Sequence, residues 1–253
     1  MPKVYISPSV QTYNLCEYGD TEKDHCQLYA DILQRYFQAC GIEYKRNMNK
    51  TFQEAVAESN AWNPDIHYAC HTNAYNGQTK YSVLLVYNAV EGNPAYDCAQ
   101  QIKQLRPQVY PDPIYVNQNR SLYEIRYSTN PCVYDEIVFH DNVDNATLFH
   151  VRMQTFAELT TRGFCNYFGI PFVYPEGVGL EPGVSDTEMT TGAAPAGIAA
   201  DAIPTAAAPA QIFGFDRNNE FADNRDRDHN RDRDYRMRYE RLKAEMQRVI
   251  DRN

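Results

Sequence analysis

The chain has 253 residues, 43% of them hydrophobic, and a formal net charge of −9. That length supports one sizeable core with chain to spare, and no apolar run approaches the roughly 20 residues of a membrane span. The acidic balance argues against nucleic acid as a partner, because phosphate-backbone binding needs basic surface.

The opening M-P-K-V-Y-I-S runs straight into a strand-like segment. It has no apolar export region, so no secretory signal is expected, and a cytoplasmic site of synthesis follows. The seven cysteines (16, 26, 40, 70, 98, 132 and 165) are odd in number and form no C-x-x-C pair. They read as reduced, buried fillers rather than a disulfide framework.

Residues 22–41 have helical periodicity through Leu28, Ile32, Leu33, Tyr36 and Phe37, and end on Gly41, a residue suited to the position after a helix. I-E-Y-K is a short strand. T-F-Q-E-A-V-A-E-S-N-A is a helix that Asn60 or Asn63 stops. D-I-H-Y-A-C-H alternates as a strand. Y-S-V-L-L-V-Y is a strand apolar on both faces, as a covered sheet requires. Pro94 to Leu105 is helical, L-Y-E-I-R-Y and C-V-Y-D-E-I-V-F are strands, and Asn145 to Tyr167 is a last helix closed by Gly169-Ile170-Pro171. This alternation predicts an α/β domain over residues 1–173, a mostly parallel twisted sheet sandwiched by helices.

Residues 174–212 are rich in Ala, Gly, Pro and Thr and read as a disordered linker. Residues 213–253 carry 11 basic and 10 acidic side chains, so the acidity belongs to the rest of the chain. Tyr235, Tyr239, Leu242, Met246 and Val249 put one apolar stripe on this charged segment. That predicts an amphipathic helix suited to self-association or docking to a protein partner.

His67 and His71 lie four residues apart, yet they are not the helical pair of a zinc peptidase. Tyr68 stands where H-E-x-x-H needs a glutamate, and Pro64 just ahead disfavours helix. On a strand the two imidazoles share a face about 13 Å apart, too far for one ion. His71, at the strand end, is the candidate ligand. His67 reads as packed between sheet and helix.

Three segments stand in order along the chain: S-P-S-V-Q-T-Y-N…T-E-K-D-H with Glu22, A-C-H-T-N-A with His71, and Y-D-E-I-V-F-H-D-N with Glu136 and His140. Over roughly residues 3–170 they resemble the zinc-dependent N-acetylmuramoyl-L-alanine amidases of the amidase-3 type. The resemblance implies Zn2+ held by Glu22 and His71, and Glu136 as general acid/base. The substrate it implies is peptidoglycan, cut at the amide between N-acetylmuramic acid and the L-alanine of the stem peptide. One departure stands out. The family draws its first ligand from a Gly-His-Gly turn, and this chain has Ser9-Val10-Gln11. Gln11, a neutral amide and a poor zinc ligand, and His140, which shares a face with Glu136 if the strand stays extended, are the candidates for that place.

The remaining polar residues read as follows. Asn73, Asp141 and Asn142 shape loops through backbone hydrogen bonds, with Asn73 also a candidate substrate contact. Asp135 faces away from Glu136. Glu124 lines the cleft or pairs with Arg126 on a strand. His25 takes an exposed helix position, and neither His150 nor His229 has a visible role. Cys70 faces opposite His71, which disfavours a cysteine nucleophile. The expected function is a lysin- or autolysin-type wall hydrolase freed by lysis. The alternatives are a catalytically inactive amidase-like binding or structural protein of a phage or spore assembly, and a metallopeptidase with the same chemistry and another substrate.

Overall fold

The structure is a computed structural model that describes residues 1–16 and 18–176. The predicted linker beyond residue 176 and the whole charged tail, with His229, lie outside the described residues.

Six strands form one sheet: β1 (Lys3–Pro8), β2 (Glu43–Arg46), β3 (Ile66–Asn73), β4 (Ser82–Val86), β5 (Ile114–Gln118) and β6 (Cys132–Phe139). Their order is β2-β1-β3-β6-β4-β5, and every pairing is parallel except β4 with β6. The helices are α1 (Glu22–Ala39), α2 (Phe52–Trp62), α3 (Pro94–Leu105), α4 (Tyr123–Tyr127) and α5 (Val143–Phe168). The predicted class, a mostly parallel sheet between helices, is the one observed.

Local chemistry explains the ends. Thr21 and Thr51 each cap a helix with a reciprocal capping box, to Asp24 and Glu54. Asn93 caps α3 ahead of Pro94, and Asn142 caps α5 through the Asn145 N–H. Asn63 ends α2 in the left-handed region at φ 52°.

Alternation along β3 and β6 builds two unlike faces. Ile66, Tyr68, Val133 and Ile137 pack in the larger core with Tyr29 and Leu33 of α1, Ile102 of α3, and Phe149, Phe156 and Phe164 of α5. Gly163 lets α5 lie against α3, since a Cβ there would stand 2.7 Å from the Ile102 Cα. A buried ion pair ties this face together: Arg106 donates to Asp135 and to Ser82, and the Tyr68 hydroxyl also donates to Asp135. Asp135 thus does face away from Glu136. On the other face Ala69, Val83, Leu85 and Tyr134 pack with Ile125 of α4.

Two expectations are corrected. L-Y-E-I-R-Y is not a strand: Tyr123–Tyr127 is one short helix, with the two tyrosine rings 4.5 Å apart. Five residues carry too little periodicity to separate strand from helix, and burial of Glu124 and Ile125 decides it. The strand in this region is Ile114–Gln118 instead, an edge strand largely open to solvent, whose polar N-Q end hides it from pattern reading.

Candidate functional site

The end of β3 gathers the chemistry. His71 is the cross-strand partner of Glu136, and the register shifts immediately beyond, between His71 and Asn73. Tyr134 stacks on the imidazole at 4.3 Å. Glu22, the first residue of α1, is brought over the strand end by its cap Thr21 and by its N–H donating to the Asn14 carbonyl at 2.9 Å.

His71 sits between two carboxylates. Its Nδ1 is 2.8 Å from Glu22 Oε1, and its Nε2 makes a longer 3.4 Å ionic contact with Glu124 Oε1. The other Glu124 oxygen accepts from His67 Nε2 at 2.7 Å, and His67 Nδ1 meets Ser59 Oγ at 2.9 Å. His67 is therefore the packed, bonded residue expected. Glu124 lies buried against the two histidines, on a helix rather than a strand. One carboxylate joins both histidines.

Asn14 Nδ2 donates to Glu22 Oε2 at 2.7 Å and to Gln11 Oε1 at 2.6 Å, so Asn14 bridges Gln11 to Glu22 through two hydrogen bonds. His140 is buried just past β6, with Nδ1 2.9 Å from Thr72 Oγ1. Asn73 is half-buried and accepts from the Ala74 N–H at 2.9 Å. Asp141 accepts from the N–H groups of Tyr75 and Gly77, and Asn142 donates to the Gly77 carbonyl, both shaping a loop as expected.

Electrostatics divides the carboxylates. Burial pushes Glu22 up, but the His71 hydrogen bond and charge outweigh it and hold Glu22 down to about 2. Glu124 falls to about 2 against the same burial, through His67 and His71. Burial pushes His71 down, yet its two carboxylates hold it up to about 10. Glu136 differs: burial raises it to about 8, with His71 opposing and Glu22 and Asp135 adding. Its Oε2 is buried and makes no hydrogen bond among the described residues, whereas His71 Nε2 has the Glu124 carboxylate beside it. One buried carboxylate oxygen here lacks the partner that a water or ion would supply.

The donor set suits a metal in part. A carboxylate oxygen and an imidazole nitrogen 2.8 Å apart lie near the ~3.3 Å between adjacent ligands of tetrahedral zinc. The Gln11 amide oxygen is close by.

Two histidines depart from expectation. His25 is buried, not exposed, with Nε2 2.6 Å from Thr72 Oγ1 and Nδ1 3.1 Å from Asp20 Oδ2. His150, which shows no role in sequence, is buried with Nε2 2.9 Å from the same Asp20 oxygen. Both lie on inward faces that helical periodicity assigns only once the packing of α1 on α5 is known. With Cys16 and Asp20 they make a separate group of four whose ligand atoms all lie within 4.8 Å of one another. Glu22, His71 and His140 are not part of it.

No protein-family model and no curated protein matches the sequence. Solved structures do. The catalytic domain of the CD27L endolysin targeting Clostridia Difficile has a TM-score of 0.57 and 20% identity, over 66% of this chain and 98% of that one. The catalytic domain of CwlV, an N-acetylmuramoyl-L-alanine amidase from Bacillus (Paenibacillus) polymyxa var. colistinus, has a TM-score of 0.59 and 14% identity, over 68% and 100%. The amidase AmiC2 of Nostoc punctiforme has a TM-score of 0.59 and 17% identity, over 66% and 97%. This chain shares their fold.

Proposed function

We propose that the protein is a zinc-dependent peptidoglycan hydrolase that cleaves the amide between N-acetylmuramic acid and the L-alanine of the stem peptide. The observation that carries this reading is the burial of Glu22, His71 and Glu136 together at one end of β3 and β6, in a fold shared with such amidases. Glu22 and His71 would hold the ion, with Gln11 or His140 in the third place. Bound there, zinc would polarise the scissile carbonyl and acidify a water.

The chain's own residues do the rest. Glu136, buried beside His71, would take a proton from the attacking water and return it to the leaving amine. Glu124 holds His71 from the side opposite Glu22, and Tyr134 fixes the ring plane. Asn73, at the end of β3, would contact the stem peptide. The protein would act on the wall after lysis brings the two together.

The test is to incubate the full chain with purified peptidoglycan and assay newly exposed alanine amino groups. Chelator-sensitive release is expected, with Glu136→Gln reducing it by about 10²–10⁴-fold. No release from several wall types with zinc supplied would refute the hydrolase. Gln11 in the place of a histidine favours the second reading, an inactive wall-binding or structural relative. Pull-down on wall sacculi without release would support it.

A further inference from the structure

We propose a second metal site, separate from the His71 centre, in which Cys16 Sγ, Asp20 Oδ, His25 Nδ1 and His150 Nε2 hold one zinc-like divalent ion in a closed, structural coordination shell.

The four residues come from three places in the fold. Cys16 and Asp20 lie on a tight loop: the Cys16 N–H donates to the Asp20 carbonyl and the Gly19 N–H to the Cys16 carbonyl, both at 2.8 Å. His25 is one turn into α1, and His150 is on α5 just ahead of the kink at Arg152. All four are buried, and their ligand atoms lie within 4.8 Å of one another. Asp20 Oδ2 is 3.1 Å from His25 Nδ1 and 2.9 Å from His150 Nε2. Those two spacings fall a few tenths of an ångström short of the ~3.3–3.6 Å between ligands of a tetrahedral zinc, a gap that small side-chain shifts close when an ion enters.

Hydrogen bonding points the same way. His150 Nδ1–H donates to the Ala146 carbonyl at 2.7 Å, which leaves the Nε2 lone pair facing a carboxylate oxygen. Two lone pairs that close need a cation between them, either a proton or a metal ion. His25 repeats the arrangement, with Nε2 bonded to Thr72 Oγ1 and Nδ1 aimed inward. Such an outer partner is the usual companion of a metal-bound imidazole. The second Asp20 oxygen, Oδ1, is buried with no hydrogen-bond partner among the described residues. A proton between Asp20 and His150 leaves that oxygen unsatisfied, and a metal ion would use it.

A thiolate with two imidazoles and a carboxylate is a borderline-soft set that suits zinc over magnesium or calcium. Four protein ligands in a buried shell leave no open position, the mark of a structural site. The ion would pin the Cys16–Asp20 loop to α1 and α5. Thr21 and Glu22 follow Asp20 directly, so it would fix the start of α1, where Glu22 sits.

Cobalt substitution tests this on the full chain. Only this site contains sulfur, so a cobalt–thiolate charge-transfer band in the near ultraviolet reports on it and not on Glu22 and His71. The band is expected in the wild type, in Glu22→Gln and in a Cys26→Ala control. It should be lost in Cys16→Ala, which should also bind one zinc fewer per chain than the wild type, whatever the His71 centre holds. No band in the wild type overturns the proposal without any variant, and a band that survives Cys16→Ala overturns it too.

Discussion

Glu136 shows how much one residue depends on its surroundings. Burial holds its carboxyl at about 8 against an ordinary 4.5, so the folded protein binds a proton there that the unfolded chain has released. Its ionisation therefore works against folding as pH rises from about 4.5 through 8. Glu136→Gln should raise the melting temperature of the metal-free protein by several degrees at pH 8.5 and hardly change it at pH 4.5. Equal melting temperatures at both pH values would contradict the buried, unpaired carboxyl. Glu22 and His71 stabilise the fold in their charged forms, where Glu136 destabilises it. Glu22, held down to about 2, contributes stability above about 4.5 that is lost as pH falls toward 2. His71, held up to about 10, contributes stability below about 6.5 that is lost as pH rises toward 10. The pair is fully effective between about 4.5 and 6.5, and His71→Ala should cost most in that window. Thermal scans across pH check the position of the maximum.

Two contacts between elements should dominate the response to mutation. Gly163 sits where α5 meets α3, and an added Cβ would strike the backbone of Ile102 at 2.7 Å. Backbone cannot yield as a flexible side chain would, so Gly163→Ala should destabilise by about 1–3 kcal/mol in denaturant titration. Arg106 is buried and joined to Asp135, Ser82 and Tyr68 through shared hydrogen bonds. Arg106→Leu leaves Asp135 buried without its cation, at a cost of about 3–5 kcal/mol. The double change Arg106→Leu with Asp135→Asn should recover part of that loss, because no unpaired charge remains.

For the whole molecule, every strand and helix described lies between residues 3 and 168, and the charged segment 213–253 lies outside the described residues. Its stripe of Tyr235, Tyr239, Leu242, Met246 and Val249 remains a proposal for self-association. Light scattering of the full chain should give an oligomer, and of a chain lacking 213–253 a monomer. Identical monomers would refute association through the tail.

The sequence by itself determined the period of each long element, and with it the class of the fold. C-V-Y-D-E-I-V-F is rich in β-branched and aromatic residues, is bounded by Pro131 and the H-D-N turn, and is β6 to the residue. It also placed Glu22 at a helix start, His71 at a strand end and Glu136 opposite Asp135, because periodicity and caps are local properties. Tertiary structure decided whatever depended on a partner distant in sequence. Five residues around Glu124 became a helix because of what they pack on, not because of their own pattern. His25 and His150 look unremarkable on their own helices and become a buried pair only when α1 crosses α5 and Asp20 comes between them. Burial sets the charge of Glu136, and no spacing of residues along the chain encodes burial.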